Sequence, residues 1–466
     1  MKLNINKSRL YYFIISFNAF VSLYLYFENN LIHPNFYFFS IFLYAMILFH
    51  NLSNVIFFLR TFFLGIVGFI AHGIKLIDEN LLFSFHMQET QTIEITSIMF
   101  LFTNIALFAS ELGLSLGKRI KVKKEDSIIY ESSKIFYLVF IMLFTVASLL
   151  AIKKPLIFFT QYATETVNLP IQNFNTIGNI LLFILVMYFF KYKNLFQKKV
   201  HIYKISLIFI SLYLLVFSEL FRGARMDFLN GLIGLIILFN LYTYNTVKIN
   251  LKIFTYGIVF FILLQIIGIV RSVIAVLGVD GAITAISGYL ERITEGDGNG
   301  IIIVQGTINN IAATFSGTIY MLQNNLVDYY YGNSYYDYIL RTPPQFLYPN
   351  RPQSLAWIFD NHGMTSGGGF FELAEAYLNF GVFGIFLVPF FISFILSYSF
   401  KIFSTNKYSL KHSIVFFSIV AVFMRGELYQ TFTFYKGIIT GLILYYSIYV
   451  LYGLFHLKNF RRAQPL

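Results

Sequence analysis

Long apolar runs recur along the whole chain, and they constrain its fold more than any other feature. Many approach the length of about 20 residues that an α-helix needs to cross the hydrocarbon core of a bilayer. Because backbone groups in lipid must be hydrogen-bonded within the segment, such runs fold as membrane-spanning helices. They far exceed what a soluble core needs, since 57% of the 466 residues are hydrophobic and only 12% are charged. The sequence predicts an all-α polytopic membrane protein with no soluble domain at either end.

The apolar windows predict about twelve spans. HNLSN (50–54) is also typical of a kink within one long helix, which would join the second and third windows and give eleven. Arg60 falls inside the third window, so its side of the membrane is ambiguous. The windows lie at 10–27, 36–50, 54–74, 95–117, 134–152, 176–190, 205–220, 226–243, 253–274, 370–400, 413–424 and 432–455.

These windows organise the chain as one integrated domain. Residues 1–274 hold spans one to nine, residues 275–368 form a large outer segment with short helices, and residues 369–466 hold spans ten to twelve. The outer segment contains an apolar stretch, 301–323, that carries Gln305, Asn309 and Asn310. Because these amides are unfavourable in hydrocarbon, we expect this stretch to lie at the outer membrane interface or to pack on the bundle.

Positive charge predicts the orientation, because Lys and Arg accumulate in cytoplasmic loops. With twelve spans, the basic clusters all fall on one side of the membrane, which makes both termini cytoplasmic. The basic N-terminus precedes an apolar run without a small-residue cleavage site, so we expect a retained first span. The basic clusters lie at 118–124, 191–199, 246–252, 401–411 and 456–462.

Lysine and arginine separate across this predicted topology. Of 22 lysines 18 are cytoplasmic, whereas seven of the 12 arginines face outward. Guanidinium is a planar fork that binds phosphate or carboxylate with two parallel hydrogen bonds, while ammonium is a hydrated point charge. This pattern predicts an anion site at the outer interface, although single arginines also extend to lipid phosphates or pair with acids. The outward set is Arg222, Arg225, Arg271, Arg292, Arg341, Arg351 and Arg425.

Two outward segments concentrate these arginines. SELFRGARMDFL (218–229) places Arg222 and Arg225 three residues apart in a tight turn, where small residues between them leave room for a ligand. A structural salt-bridge cluster with the flanking acids is the alternative. LRTPPQFLYPNRPQSLAW (340–357) carries four prolines, which predict a rigid, non-helical segment presenting Arg341 and Arg351. A merely structural turn is the alternative there.

Acids and a histidine near the tenth span are candidates for proton transfer. Glu372 and Glu375 lie three apart on its first turns, and an acid at membrane depth is a functional candidate by default. His362 is a second candidate base. The chain has no cysteine, no cluster of His and acids at metal-ligand spacing, no DxD pair and no P-loop. We therefore predict no metal and no cofactor, with arginines in place of a metal.

The order of three motifs resembles the Wzy-type oligosaccharide repeat-unit polymerases, the enterobacterial common antigen polymerases among them. The motifs are GAR (223–225), PPQFLYPNRP (343–352) and EAYLNFGVFG (375–384). The resemblance implies a glycosyltransferase of the GT-C-like class in the bacterial inner membrane. Such an enzyme joins undecaprenyl-pyrophosphate-linked oligosaccharides at the outer, periplasmic face and releases undecaprenyl pyrophosphate. Implied partners are these lipid-linked oligosaccharides, membrane lipids, a chain-length regulator and a flippase, with no nucleic acid.

For the reaction that the resemblance implies, the charges of the side chains predict roles for individual residues. Arginines would stabilise the charge that grows on the pyrophosphate leaving group, and Glu375 or His362 would accept the proton of the acceptor hydroxyl. The tripled glycine at 367–369 and the order of Gly426 and Glu427 depart from the family pattern. The predicted catalytic residues are Glu375, His362, Arg222 and Arg225, and the predicted substrate-binding residues are Arg222, Arg225, Arg271, Arg341, Arg351, Tyr377, Asn379 and Arg425.

Two other functions remain open from the sequence. A flippase for lipid-linked oligosaccharides would show related halves and broken spans, and neither is visible in the sequence. An O-antigen ligase would use the same donor with a lipid A core acceptor, and the sequence discriminates poorly between ligase and polymerase.

Overall fold

The computed structural model describes the parts of the chain that surround the start of the predicted tenth span. In these parts the chain forms only helices, turns and loops, with no strand. The described residues are 7–28, 32–77, 89–124, 145–146, 182, 210, 231–237, 300–341, 348–353, 355–362, 370–406, 409–422 and 433–462. The helices are α1 (Lys7–Phe27), α2 (Pro34–Asn51), α3 (Val55–Ile77), α4 (Glu89–Arg119), α5 (Gly300–Gln323), α6 (Asn333–Leu340), α7 (Ala356–Asn361), α8 (Glu372–Thr405), α9 (Leu410–Val420) and α10 (Thr433–Arg462).

Four of the described helices are long and apolar enough to cross a membrane. These segments are Ser8–Phe27, Val55–Gly73, Thr92–Arg119 and Glu372–Thr405. They correspond to the first, third, fourth and tenth apolar windows. The prediction of a helical membrane protein is confirmed to the extent that these four windows form helices long and apolar enough to span a bilayer. The windows at 134–152, 176–190, 205–220, 226–243 and 253–274 lie largely outside the described residues, and the number of twelve spans stays a prediction.

HNLSN is a turn between two helices, so the alternative of one long kinked helix is wrong. The α2 helix ends at Asn51 and α3 begins at Val55. The two helices are antiparallel. Tyr44 Oη donates to the Phe62 carbonyl at 2.8 Å, and Tyr37 Oη, two turns earlier in α2, donates to the Phe69 carbonyl, two turns later in α3, at 2.8 Å. Each hydroxyl thereby finds an acceptor inside an apolar bundle, where an unpaired one would be costly.

Helices α1 to α4 alternate in direction, and α8 runs alongside them. At one end of the bundle Tyr26 of α1 meets Tyr377 of α8. At the other end Asn406 Nδ2, just after α8, donates to the Lys123 carbonyl at 3.2 Å. The basic cluster 118–124 therefore lies at the same end of the bundle as the start of α1, as the charge pattern predicted.

Two glycines allow α4 and α8 to approach closely. A Cβ atom at Gly113 would lie 2.3 Å from the Phe390 carbonyl oxygen, and one at Gly117 would lie 2.8 Å from that of Phe394. This is the small-xxx-small spacing that lets membrane helices pack backbone to backbone. The contact fixes α8 against α4, and the start of α8 carries the candidate site.

The amide-bearing helix α5 packs on the bundle, which was one of its two predicted positions. Phe315 contacts Phe102 of α4 with ring centroids 6.5 Å apart and Phe371 at 5.6 Å. Near the end of α5, Gln323 Nε2 donates to Glu94 Oε1 at 3.3 Å. The order of these contacts shows that α5 runs antiparallel to α4 along the bundle rather than flat on its surface.

Candidate functional site

The first two turns of α8 are buried and carry the acids that the sequence singled out. Glu372 forms a buried ion pair with Arg60 of α3, and both side chains are 0% exposed. Arg60 Nη2 donates to Glu372 Oε1 at 2.7 Å, and Nη1 donates to Oε2. This fork-to-fork geometry is the strongest form of the Arg–carboxylate contact.

The remaining donors of Arg60 are also used within the bundle. Nε donates to Ser393 Oγ at 3.0 Å, and Nη2 also approaches the Pro389 carbonyl at 3.4 Å. Ser393 Oγ lies 2.7 Å from Ser110 Oγ of α4, which extends the network to a third helix. The sequence left open on which side of the membrane Arg60 lies. The structure shows it as the counter-charge of Glu372, which an arginine inside an apolar window requires.

Glu375 faces another partner, the short helix α6. Ser334 Oγ donates to Glu375 Oε1 at 2.9 Å, and Asn379 Nδ2 donates to Ser334 Oγ at 2.7 Å and to the Glu375 carbonyl at 2.8 Å. Asn379 Oδ1 accepts from the Gly332 backbone N–H at 3.0 Å. We call Ser334, Glu375 and Asn379 the α6 clasp. Asn379 is fully buried and bonded to protein at both ends of its amide, and its predicted role in substrate binding stays a prediction.

A break in α8 strengthens this attachment. Gly381 has φ 58° and ψ −144°, which interrupts the helical hydrogen-bond ladder. Just before the break, the Leu378 and Asn379 carbonyls accept from the backbone N–H groups of Tyr330 and Tyr331, each at 3.0 Å. Tyr331 itself has φ 49°, a strained conformation for a bulky residue that persists only where its surroundings enforce it. The segment before α6 is therefore held rigidly on α8.

Aromatic side chains surround the clasp. Tyr377 Oη lies 3.3 Å from Tyr26 Oη of α1, and Phe102 packs against both rings at 4.9 Å. Tyr329 meets Tyr377 edge to face at 6.2 Å. The predicted substrate-binding residue Tyr377 is thus buried in a tyrosine cluster at the same end of the bundle as the clasp.

Tyr335 of α6 shows the electrostatic character of the clasp. Its ring stacks on Phe380 with centroids 5.9 Å apart. Burial raises the pKa of Tyr335 well above its ordinary value of 10.0, and the nearby acids Glu375 and Glu372 add to this effect. The hydroxyl therefore stays neutral at any physiological pH.

Two predicted anion-binding arginines, Arg341 and Arg351, lie within electrostatic reach of each other. Arg341 caps α6, with its backbone N–H donating to the Asp337 carbonyl at 2.9 Å, and Arg351 lies in the non-helical segment 348–353. Burial and the charge of Arg351 lower the pKa of Arg341, whereas Tyr338 and Asp337 raise it. Arg341 Nε is buried and has no hydrogen-bond partner among the described residues. Two guanidinium groups within electrostatic reach, one with an unused buried donor, form a cationic pair.

His362 lies at the end of α7. Its Nδ1 is 2.8 Å from the Ile358 carbonyl, and since a carbonyl only accepts, Nδ1 must carry a proton. In the neutral imidazole Nε2 is then the acceptor, as a general base requires. Trp357 of the same helix is 39% exposed.

Arg222, Arg225, Arg271 and Arg425 lie outside the described residues, and their roles stay predictions. Within the described ranges, no group of three or more His, Cys, Asp or Glu side chains could hold a metal ion.

No protein-family model, characterised protein or solved structure matches this chain. The chemistry of the site is therefore inferred from its own residues.

Proposed function

We propose that the chain is a membrane glycosyltransferase that polymerises lipid-pyrophosphate-linked oligosaccharides, as the Wzy-type polymerases do. In this proposal the chain has about twelve spans and a GT-C-like architecture, lies in a bacterial inner membrane with both termini in the cytoplasm, and acts at the periplasmic face. The observation that carries the proposal is the cationic pair, Arg341 and Arg351.

The cationic pair favours a ligand with at least two negative charges. Burial of Arg341 and, after it, the charge of Arg351 lower the pKa of Arg341, so placing two guanidinium groups within electrostatic reach costs free energy. An anion between them removes this repulsion and supplies an acceptor for the buried Nε of Arg341. A diphosphate offers oxygens to both guanidinium groups at once, and each charge-assisted hydrogen bond contributes about 1.5–3 kcal/mol.

The same pair suits departure of a pyrophosphate. When the acceptor hydroxyl attacks the anomeric carbon, the bond from that carbon to pyrophosphate breaks and its electrons stay with the leaving group. Fixed positive charges stabilise this developing charge without reorganising. The hydroxyl proton passes to a base, for which Glu375 and His362 are the two candidates. Glu375 already accepts from Ser334, whereas His362 uses Nδ1 toward the Ile358 carbonyl, which leaves Nε2 as the acceptor nitrogen of the neutral ring.

Binding of inorganic pyrophosphate to the purified protein tests the proposal. We expect Arg341→Ala and Arg351→Ala each to weaken binding by about ten- to a hundred-fold, which corresponds to one lost charge-assisted bond. Arg119→Ala is the matched control, because this exposed arginine lies at the opposite end of the bundle. Calorimetric titration gives the affinities, and affinities for both site variants equal to wild type would remove the cationic pair from the mechanism.

Activity is measured separately with purified protein and lipid-linked repeat units. We expect wild type to form polymer and release lipid pyrophosphate, and both site variants to form little polymer while remaining folded. Polymer of normal length from the Arg341→Ala, Arg351→Ala double variant would contradict the proposal.

A further inference from the structure

A third buried acid, Glu111, lies in the half of the bundle away from the clasp. It belongs to α4, within the membrane-crossing segment Thr92–Arg119, and is 2% exposed. Eight residues separate it from Arg119 at the helix end, which places it about 12 Å along the helix axis from that end. An ionisable residue at this depth is a functional candidate by default.

Three neutral side chains surround the Glu111 carboxyl, each from a different helix. Tyr11 Oη of α1 donates to Oε2 at 3.2 Å, Asn51 Nδ2 of α2 donates to Oε1, and Thr61 Oγ1 of α3 lies 3.5 Å from Oε1. Thr61 also donates to the Phe57 carbonyl at 3.0 Å. The carboxyl is thus enclosed by oxygen and amide groups that carry no net charge.

Comparison with Glu372 shows what this enclosure lacks. Glu372 has the guanidinium of Arg60 as its counter-charge, whereas no basic side chain of the described residues forms an ion pair with Glu111. Lys118, two turns further along the same helix, lies over the Phe57 ring with Nζ 4.5 Å from the centroid, and its charge acts on Glu111 without a direct salt bridge between them. An ionised carboxylate without a directly bonded counter-charge is unfavourable in a dry interior.

Asn51 supplies an independent observation. Its side chain is 0% exposed, and its Oδ1 is buried without a hydrogen-bond partner in the described part of the chain. Turning the amide by 180° would exchange the hydrogen bonds that Nδ2 now donates to Glu111 and Thr61 for an oxygen facing Glu111, which would complete a set of oxygen ligands with Thr61 and Tyr11. A carboxylate plus neutral oxygens is the ligand set that a hard cation prefers.

We propose that Glu111, Asn51, Thr61 and Tyr11 form an intramembrane binding site for one monovalent cation, a proton or a sodium ion. Either cation neutralises the carboxylate and gives the unused Asn51 oxygen a partner. The site does not depend on the proposed polymerase activity. The other titratable or charged groups around it are Tyr12 of α1, His50 of α2, Arg60 of α3, which is held by Glu372, and Lys118 and Arg119 of α4.

Thermal unfolding of the purified protein tests this site. Glu111→Gln removes the charge and keeps an acceptor for Tyr11 and Asn51. Glu94→Gln is the matched control, because Glu94 is an exposed acid on the same helix. Unfolding midpoints are measured from pH 5 to 8 at constant ionic strength, with sodium chloride replaced stepwise by N-methylglucamine chloride.

A ligand that binds only the folded state raises the midpoint as its concentration rises. For a sodium site, the midpoint of wild type and Glu94→Gln rises with sodium, and that of Glu111→Gln does not. For a proton site, the midpoint of wild type and Glu94→Gln rises as the pH falls, independently of sodium, and Glu111→Gln loses this slope. Equal responses of wild type and Glu111→Gln to both cations would overturn the proposal.

A second variant covers the case in which Glu111→Gln does not fold. Thr61→Val keeps the side-chain shape and removes one oxygen ligand. We expect it to weaken the cation response of the midpoint several-fold, and an unchanged response would overturn the proposal.

Discussion

The ion pair between Arg60 and Glu372 supports a quantitative prediction about stability. Glu372→Gln keeps the side-chain shape and removes the negative charge, which leaves a guanidinium that is 0% exposed without its counter-charge. Breaking a buried pair in this way costs about 3–5 kcal/mol. Such a loss lowers the folding equilibrium constant by on the order of a hundred- to several-thousand-fold.

The cost should depend on which partner is removed. Arg60→Met leaves Glu372, which can take up a proton and become neutral, whereas a guanidinium cannot lose its proton in a protein. We therefore expect Arg60→Met to be less destabilising than Glu372→Gln. The double variant Arg60→Met, Glu372→Leu replaces the pair by apolar groups and should fall within about 1 kcal/mol of wild type or above it.

Reversible unfolding by sodium dodecyl sulfate in mixed micelles measures these free energies, with Glu94→Gln as the exposed-acid control. The reasoning predicts strong non-additivity, because the two residues contact each other. Additive effects in the double variant, or a loss below about 1 kcal/mol in Glu372→Gln, would refute the buried-pair interpretation.

Three further changes, with Gly453→Ala as a control, test the packing that positions the site. Gly113→Ala should destabilise the bundle by about 1–3 kcal/mol, because its Cβ would lie 2.3 Å from a backbone atom of α8. Gly453→Ala should stabilise α10 by up to about 1 kcal/mol, because its Cβ would meet nothing within 4 Å. Asn379→Leu should cost about 1–3 kcal/mol by leaving the Gly332 N–H unpaired, and hydrogen exchange at Gly332 should accelerate. Gly381→Ala should cost about 1–3 kcal/mol from its backbone conformation alone (φ 58°, ψ −144°), since its Cβ would meet only ordinary contacts. Unfolding midpoints in one detergent check all four variants, and equal effects at Gly113 and Gly453 would contradict the close packing of α4 and α8.

Much of the helical layout follows from the sequence, because span length is a local property. The runs that became α1, α3, α4 and α8 are each long and apolar enough to identify without knowledge of their neighbours. The break at Gly381 is different. A glycine in an apolar run is compatible with an uninterrupted membrane helix, so the sequence does not mark the break. The carbonyls of the broken turn, those of Leu378 and Asn379, find their hydrogen-bond donors only in the segment before α6.

The sequence identified several residues of the candidate site but not which of them contact each other. The motif EAYLNFG identified Glu375, Tyr377 and Asn379, yet nothing in the sequence marks Ser334, the residue that joins two of them. Arg60 and Glu372 are 312 positions apart. The cost of an unpaired arginine in lipid predicts that Arg60 has an acidic partner, but the choice among the acids depends on how the helices pack.

The hydrogen bonds between α8 and the segment before α6 have a mechanical consequence. They join α8, which is long and apolar enough to cross a membrane, and the short helix α6 into one rigid unit. Because Arg341 caps α6, a tilt or shift of α8 carries that cation with it. The position of this positive charge is thus coupled to the position of α8 in the bundle.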